Sequence, residues 1–236
     1  MTVRIGAVIP ALDEEAAIGE VVAGLRATGL LDELVVVDNG SRDRTGSVAE
    51  AAGARVVRED RRGYGRACLT GVLALRSEIV VLLDGDAADD PADLRRVLEP
   101  LLEGDAELVV GSRSLGPAER GSMTQQQVLG NRLAAFLIGR LHDCRVSDLG
   151  PFRAIRRADL LALDLQEMTY GWSVEMVVKA ARAGYRYREV PVSYHRRIGT
   201  SKVGGTIRGS VRAGVRILTT VVRYTGWRPA PAEVAA

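Results

Sequence analysis

Two aspartates, Asp84 and Asp86, directly follow a short apolar run and have the clearest chemical potential in the chain. The run, residues 78–83, is rich in β-branched residues, which is typical of a buried strand in a parallel sheet. Both carboxylates therefore leave the sheet at the carboxyl end of a strand, where open α/β sheets bind ligands. Two acids at this spacing can share a divalent cation that takes its other ligands from water and substrate phosphates. The pair predicts a metal-diphosphate site, although Asp-Gly-Asp is also an ordinary turn sequence.

Alternating strands and helices position these aspartates. We predict strands over residues 3–10, 34–37, 54–58, 78–83 and 107–110, with helices between most of them. This alternation indicates an α/β fold with a mostly parallel sheet and helices on both faces. Polar loops follow several of the strands, and we expect those loops to meet at one edge of the sheet.

The second half of the chain is less regular. We predict a helix over residues 124–140, a strand entered at Pro151, a helix from residue 169 and a last strand over 186–194. A basic loop follows, with Arg197 and Lys202 placed either to hold a phosphate or simply to face solvent. The role of the loop at Gly63 and Gly65 is similarly undecided, because glycines before a helix can bind a phosphate but also occur in ordinary turns.

Composition narrows the class of protein. With 236 residues, 47% of them hydrophobic and 26% charged, the chain is typical of a globular protein with one large or two small domains. The segment after Ala181 is strongly basic, which indicates an anionic partner. An aromatic content of 4% argues against nucleic-acid binding. The distant pair Cys68 and Cys144 favours a reducing, cytoplasmic compartment, and no apolar run is long enough to cross a bilayer.

The ordered motifs resemble the family 2 glycosyltransferases of the GT-A fold, especially dolichyl-phosphate mannose synthase and related polyprenyl-phosphate glycosyltransferases. The matching stretches are residues 8–15, 35–45, 63–67, 82–86, 109–113, 150–154, 191–194 and 199–202. The resemblance covers about residues 3–203. We therefore expect a GT-A domain over residues 1–203, a basic amphipathic extension over 204–228 and a disordered tail over 229–236.

The resemblance also implies roles for individual residues. For the donor, a nucleotide-diphosphate sugar, it places Pro10, Ala11, Glu14 and Asp38 at the base and ribose, and Gly63, Gly65 and Gly85 around the molecule. It places Mg²⁺ or Mn²⁺ on Asp84 and Asp86. It places Arg113 and Arg132 at an acceptor phosphate, and Arg197 and Lys202 in a loop that closes on phosphate.

Three positions depart from the pattern that the family often shows. Asn39 stands where a second aspartate is common, and Ala88 stands where a glutamine often completes the metal site. Water or Asp89 would then have to complete the ligand shell. Tyr64 replaces a basic residue between the two glycines. These departures leave the donor nucleotide, UDP-linked or GDP-linked, undecided.

The implied reaction is an inverting hexose transfer to a polyprenyl phosphate, an anion that needs no strong base. A hydroxyl of a soluble small molecule is the alternative acceptor, and it would require a carboxylate base. Asp148 and Glu175 are the candidates for that base, although each could instead be structural. Two other classes remain open, namely a sugar-1-phosphate nucleotidyltransferase and a binding module without turnover.

The C-terminal segment has the clearest helical period of the chain. Its apolar stripe consists of Ile207, Val211, Val215, Leu218 and Val222, and Arg208, Arg212, Arg216 and Arg223 lie beside it. A basic amphipathic helix of this kind suits the inner face of a membrane, with Tyr224 and Trp227 at the interface. The alternative is that the stripe packs on the protein's own core or on a second subunit in a homodimer.

Overall fold

A computed structural model describes residues 3–199 and 207–229, with the backbone alone for 207–213. Lys202 and most of the predicted tail lie outside the described residues. The strands are β1 Ile5–Ala11, β2 Glu33–Asp38, β3 Arg55–Arg58, β4 Ile79–Leu82, β5 Leu108–Ser112, β6 Arg153–Arg156 and β7 Tyr187–Pro191. The helices are α1 Ile18–Ala27, α2 Thr45–Ala51, α3 Tyr64–Ala74, α4 Leu94–Leu102, α5 Gln125–His142, α6 Arg157–Ala162, α7 Trp172–Arg182 and α8 Ile207–Arg223.

The seven strands found in the described ranges form one mixed sheet in the order β3-β2-β1-β4-β6-β5-β7. Only β6 runs antiparallel, between β4 and β5. β1 lies between β2 and β4. The chain therefore adds β2 and β3 on one side of β1 and then adds β4 on the other side. Such a switch point leaves a crevice at the carboxyl ends of the strands, where ligands bind. The predicted fold class is confirmed.

Apolar residues on the two faces of the sheet form two cores. On one face, Val8, Val35 and Val80 pack in a cluster with Val72 of α3 and Met176 of α7. On the other face, alternate residues of the same strands pack against the apolar sides of α1 and α4, whose buried residues are Ile18, Val21, Val22, Leu25, Leu94, Val97, Leu98 and Leu101. The helices therefore cover both faces, as the alternation of elements predicts.

The C-terminal helix α8 packs on α5 and α7 with a different face from the predicted apolar stripe. Val221 and Tyr224 are buried against the protein, whereas Val215 and Val222 of the stripe are exposed. Lys179 lies 4.9 Å from the centre of the Tyr224 ring. The prediction of Tyr224 as a membrane-interface residue is therefore wrong, because its ring belongs to the helix-helix contact. Among the helices described here, none is long and apolar enough to cross a membrane.

Candidate functional site

A cavity of about 450 Å³ opens at the carboxyl edge of the sheet. β1 and β2 end in register, with Ala11 opposite Asp38, and β4 ends beside β1 with Leu82 opposite Val8. The loops that leave these strands therefore meet. The predicted site residues that line the cavity are Pro10, Ala11, Glu14, Gly63, Asp84, Gly85, Asp86 and Arg197.

Two further residues predicted at the donor lie behind the cavity wall. Asp38 turns the loop after β2, since its Oδ1 accepts a hydrogen bond from the Ser41 amide at 2.8 Å. Gly65 packs against the backbone, and a Cβ there would lie 2.5 Å from the carbonyl oxygen of Glu167. Both residues shape the wall without facing the cavity.

Asn39 ties the loop after β3 to the loop after β2. Its Nδ2 donates to the carbonyl oxygens of Glu59 and Arg61, each at 2.9 Å, and its Oδ1 accepts from the Gly63 amide at 2.9 Å. The buried amide is therefore satisfied by backbone on both sides. An aspartate at this position could accept from Gly63 but could not donate to the two carbonyls, which gives the departure at Asn39 a structural reason.

Gly63 and Tyr64 form the start of α3 at the cavity. Gly63 has φ +150°, and a Cβ there would lie 2.4 Å from the carbonyl oxygen of Met168, so a larger residue would displace the opposite wall. The Tyr64 side chain lines the cavity, and its hydroxyl hydrogen-bonds at the Asp84 carboxylate and lowers the pKa of that acid. Tyr64 therefore faces the predicted metal site in place of a basic residue.

The carboxylates after β4 carry more negative charge than nearby groups neutralise. Burial raises the pKa of Asp84 to about 6, and the charge of Asp86 raises it further. Asp84 Oδ1 is buried and has no hydrogen-bond partner among the described residues. Asp89 is also buried, and neither of its oxygens has a partner in that part of the chain. Burial raises the pKa of Asp89 well above the ordinary value, with Arg113 opposing the rise. Such an arrangement favours a bound cation.

Asp84 and Asp86 fit a divalent cation that is completed by a ligand. Both line the cavity, and the unpartnered Asp84 Oδ1 supplies a hard oxygen. Within residues 3–199 and 207–229, no group of three or more His, Cys, Asp or Glu side chains is arranged to hold a metal alone. Asp89 therefore does not join the pair as a third ligand. The remaining ligands would come from water and phosphate oxygens, as Mg²⁺ usually requires.

The basic loop after β7 folds over this carboxylate pair. The Ile198 amide donates to the Asp86 carbonyl oxygen at 2.9 Å, and the His195 amide donates to the Ala88 carbonyl oxygen at 2.8 Å. The Arg197 guanidinium forms an ion pair with the Asp86 carboxylate and lines the cavity. The structure thus brings Arg197 to the place where the diphosphate of a donor would meet the metal.

Arg113 is held beside the carboxylates by Asp148. Nε and Nη2 of Arg113 donate to the two Asp148 oxygens at 2.7 Å each, and the guanidinium lies 4.9 Å from the centre of the Tyr194 ring. Burial alone would raise the pKa of Asp148, but its bonds to Arg113 hold the pKa below the ordinary value. Asn131 of α5 also donates to Asp148. Asp148 is therefore an ionised anchor for Arg113, and neither Asp148 nor Arg113 lines the cavity.

Glu175 is fully buried in α7 and does not line the cavity either. Its oxygens accept hydrogen bonds from the amides of Gln166 at 2.9 Å and Glu167 at 2.6 Å, and they pair with Lys179 at 2.8 Å. Arg132, predicted at the acceptor phosphate, is exposed on α5 and also lies off the cavity wall. The structure brings neither residue to the predicted metal site.

Glu175 instead holds the segment that closes the far side of the cavity. This segment continues to Thr169 and Tyr170, which line the cavity. Glu167 supports it by accepting from the Thr169 hydroxyl at 2.6 Å, and Arg216 of α8 pairs with Glu167 at 2.7 Å. The far wall is therefore fixed from the protein core and from the C-terminal helix together.

Among the described residues, seven that line the cavity were not predicted as site residues from the sequence: Leu12, Asn39, Arg62, Tyr64, Ala67, Thr169 and Tyr170. Most lie within the motifs quoted above, so their position beside predicted residues was a usable signal. Thr169 and Tyr170 had no such signal, because the turn before α7 reaches the cavity only through tertiary contacts.

Comparison with known proteins places this geometry in a family. Residues 7–163 match the model of the family described as glycosyl transferase family 2. An uncharacterized glycosyltransferase of Mycobacterium tuberculosis is 38% identical over 207 residues, which are 87% of this chain and 92% of that protein. A dolichyl-phosphate hexose transferase of Haloferax volcanii is 37% identical over 197 residues, covering 81% of this chain and 82% of that protein.

A solved structure has the same fold over nearly the whole chain. It is glucosyl-3-phosphoglycerate synthase from Mycobacterium tuberculosis in complex with Mn²⁺, uridine diphosphate and glucosyl-3-phosphoglycerate. The TM-score is 0.77 and the sequence identity 26%, with 97% of this chain and 81% of that chain covered. These similarities favour the transferase interpretation over the nucleotidyltransferase and the binding module.

Proposed function

This chain belongs to glycosyl transferase family 2 and is a glycosyltransferase, and we propose that it moves a hexose from a nucleotide-diphosphate sugar to a polyprenyl phosphate with the help of Mg²⁺ or Mn²⁺. The observation that carries the proposal is the unpartnered Asp84 Oδ1, which lies next to Asp86 in a cavity large enough for a nucleotide sugar. The similarity to a transferase solved with Mn²⁺ and uridine diphosphate supports the same assignment.

The donor would lie across the cavity with its diphosphate at the two aspartates. Pro10 and Ala11 at the end of β1, together with Asn39 after β2, form the wall for the base and ribose. Because Asn39 fixes the loop up to Gly63, the width of this part of the cavity depends on that one amide. The far wall at Thr169 and Tyr170 would then face the sugar.

The chemistry requires stabilisation of the leaving diphosphate and alignment of the acceptor. A cation bound at Asp84 and Asp86 would neutralise negative charge that develops on the diphosphate. Arg197 would exchange its ion pair with Asp86 for the donor phosphates and add positive charge at the same place. Direct displacement at the anomeric carbon would invert its configuration.

Arg113 is the residue that we assign to the acceptor phosphate. Its guanidinium lies between Asp148 and the Tyr194 ring and its charge acts on Asp89, so it is fixed near the carboxylate loop. A phosphate acceptor is already anionic and needs only to be held in line. Since Asp148 and Glu175 are both fully occupied by protein partners, neither is placed to deprotonate a hydroxyl. The hexose-transferring relative that acts on dolichyl phosphate supports this choice.

A small-molecule hydroxyl acceptor is the second candidate, and one observation favours it. Asp89 is a buried carboxylate whose two oxygens have no partner among the described residues, so it can take up a proton, although it does not line the cavity. The similarity to glucosyl-3-phosphoglycerate synthase is consistent with such an acceptor. Under this alternative, Asp89→Asn would abolish transfer, whereas transfer to a phosphate would continue.

Donor binding and transfer test the proposal in sequence. We would first titrate UDP, GDP and dTDP calorimetrically with Mn²⁺, with Mg²⁺ and with chelator, using the native protein and Asp86→Asn. Asp60→Asn is the matched control, because Asp60 is exposed and pairs with Arg58 on the surface. The nucleotide that binds would then be supplied as its hexose derivative together with undecaprenyl phosphate, and the lipid product would be measured.

The expected result is metal-dependent binding of one nucleotide, lost in Asp86→Asn and retained in Asp60→Asn, followed by formation of a lipid-linked hexose. Binding that ignores both metal and mutation would refute the metal site. Metal-dependent binding without a lipid product, but with transfer to a soluble phosphorylated alcohol, would support the second candidate instead.

A further inference from the structure

Helix α5 exposes a row of large apolar side chains. Leu129 is 71% exposed, Phe136 is 62% exposed, and Leu133 between them is also exposed. Spacings of four and three residues place the three on the same side of the helix. The opposite side of α5 packs on the protein through Ala134 and Ile138, which are fully buried. The helix is therefore apolar towards the core and apolar again towards the outside.

Helix α8 lies next to α5 and repeats this arrangement. The His142 side chain at the end of α5 hydrogen-bonds the Val221 carbonyl oxygen at 2.9 Å, which joins the two helices. While Val221 is buried, Val215 and Val222 are each 56% exposed. We call the exposed set Leu129, Leu133, Phe136, Val215 and Val222 the α5–α8 face.

Helices α5 and α8 contain arginines but no acidic residue. All 30 acidic residues of the protein lie outside α5 and α8. The same helices contain six arginines, of which Arg216 pairs with Glu167, and the other five are Arg132, Arg140, Arg208, Arg212 and Arg223. Exposed apolar side chains that are accompanied by cations and free of acids have the composition of a surface that binds anionic lipid.

We propose that the α5–α8 face docks on an anionic membrane surface. A second copy of the chain fits this face less well, because a symmetric contact would bring two acid-free, arginine-bearing surfaces together. A lipid surface supplies both the apolar layer for Phe136 and the phosphates for the arginines. Exposed large apolar side chains on other described helices, such as Leu73 of α3 and Leu102 of α4, stand alone on their helices and form no comparable row.

Helix α5 also contacts the residue that holds Arg113, which we assign to the acceptor phosphate. Asn131 lies between Leu129 and Leu133 on α5, and it hydrogen-bonds Asp148, which holds Arg113. A membrane-bound α5 would therefore be linked through Asn131 and Asp148 to the arginine that we assign to the acceptor phosphate. The functional meaning of the docking rests on the proposed lipid acceptor, whereas the docking itself is measured without any acceptor.

The test is flotation of the full-length protein with vesicles that contain no polyprenyl phosphate. Vesicles of phosphatidylcholine alone are compared with vesicles that also contain phosphatidylglycerol. We expect binding only to the anionic vesicles and its loss at high salt.

Phe136→Ser and Leu129→Ser should each weaken binding about tenfold, and Arg140→Gln about fivefold. Leu73→Ser is the matched control, since Leu73 is 58% exposed on another helix, and it should bind as the native protein does.

Other outcomes would overturn the inference. If the native protein does not float, or if Leu73→Ser weakens binding as much as Phe136→Ser, the α5–α8 face is not a lipid-docking surface. If sedimentation shows a dimer that Phe136→Ser dissociates, the face is a subunit interface. Transfer to a short-chain, water-soluble polyprenyl phosphate is measured separately. That activity would uphold the proposed function even where docking fails, and its absence despite docking would count against the function alone.

Discussion

Buried carboxylates occur in two different states in this molecule. Asp84 and Asp89 lie in the loop after β4, where Asp84 Oδ1 and both Asp89 oxygens have no partner among the described residues, and burial raises the pKa of each. Asp148 and Glu175 are buried at least as deeply, but each accepts several hydrogen bonds and is paired with a cation. The sequence presents all four as acids near motifs. The hydrogen-bond partners of the carboxylate oxygens distinguish an acid that can bind a ligand from an acid that stabilises the fold.

The difference has a physical cause in what surrounds each loop. The chain supplies backbone amides, an arginine or a lysine to Asp148 and Glu175, so the cost of burying their charge is met within the protein. At Asp84 the Asp86 charge opposes ionisation, the Tyr64 hydroxyl, Arg197 and Arg113 favour it, and no described group bonds Oδ1. The fold therefore retains an unfavourable electrostatic arrangement at the cavity, and such arrangements are concentrated at functional sites.

Replacing Asp84 by asparagine should have the largest effect and should affect only function. We expect the rate constant kcat/KM for hexose transfer to fall about 1000-fold, because several kcal/mol of charge stabilisation on the diphosphate would be lost. The melting temperature in chelator should not fall, since the variant removes a charge that burial disfavours and whose Oδ1 has no partner among the described residues. Steady-state rates and thermal unfolding of the same samples check both statements. If the variant loses both stability and activity, Asp84 supports the fold as Asp148 and Glu175 do, and the distinction between the two kinds of acid is wrong.

Replacing Glu175 by alanine should have the opposite profile. Lys179 would remain buried without its partner and two backbone amides would lose their acceptor, so the free energy of unfolding should fall by about 3 kcal/mol. Urea denaturation followed by circular dichroism measures this loss. Transfer per folded molecule, assayed at low temperature, should stay within a few-fold of the native rate. An unchanged stability with a 1000-fold slower transfer would instead make Glu175 a base.

The first half of the fold could be predicted because local patterns determine it. The strands that end at Ala11 and Asp38 are continuous apolar runs followed by polar loops, and parallel pairing aligns their ends without further information. Asp84 and Asp86 lie at that edge and line the cavity, and their role as metal ligands stays a prediction. The resemblance to a known family then supplied the roles that the bare spacing of Asp84 and Asp86 left open.

The second half could not be predicted to the same depth, because tertiary contacts decide it. Nothing in the local sequence shows that Val221 rather than Val222 faces the protein, since both positions are equally apolar and the helix has two apolar sides. Likewise, Arg132 and Asn131 are neighbours on α5, and only the packing of the helix shows that Asn131 reaches Asp148 while Arg132 is exposed. If a helix turns about its axis by the angle between two successive residues, different side chains face the protein, and every such assignment changes.

Replacing Asn131 by alanine tests that packing at the acceptor side. Loss of one hydrogen bond to Asp148 should loosen Arg113 and lower kcat/KM for the acceptor about fivefold, which corresponds to about 1 kcal/mol. The dissociation constant of the donor nucleotide should not change, because Asn131 does not line the cavity. Arg132→Gln is the neighbouring comparison on the same helix. A larger loss in Arg132→Gln than in Asn131→Ala would restore the sequence prediction that Arg132 holds the acceptor phosphate.

The two kinds of carboxylate should also respond to pH with opposite signs. Burial raises the pKa of Asp84 from an ordinary 3.8 to about 6, so the metal-free folded protein binds more protons there than the unfolded chain does. The contribution of Asp84 to the free energy of unfolding should therefore fall, on the order of 1 kcal/mol, as the pH rises through that window. Asp148 has a lowered pKa, so its contribution is present above pH 3.8 and is lost as the pH falls.

Urea denaturation in chelator between pH 4 and pH 7 measures the difference, with Asp84→Asn beside the native protein. The variant should lose the downward slope that Asp84 adds across this range, and the two stability curves should converge towards pH 4, where Asp84 is protonated in the folded protein. Parallel curves over the whole range would mean that the Asp84 carboxylate is already neutralised by groups within the protein. In that case Asp84 would belong with Asp148 and Glu175, and the cavity would have no excess charge for a metal ion to balance.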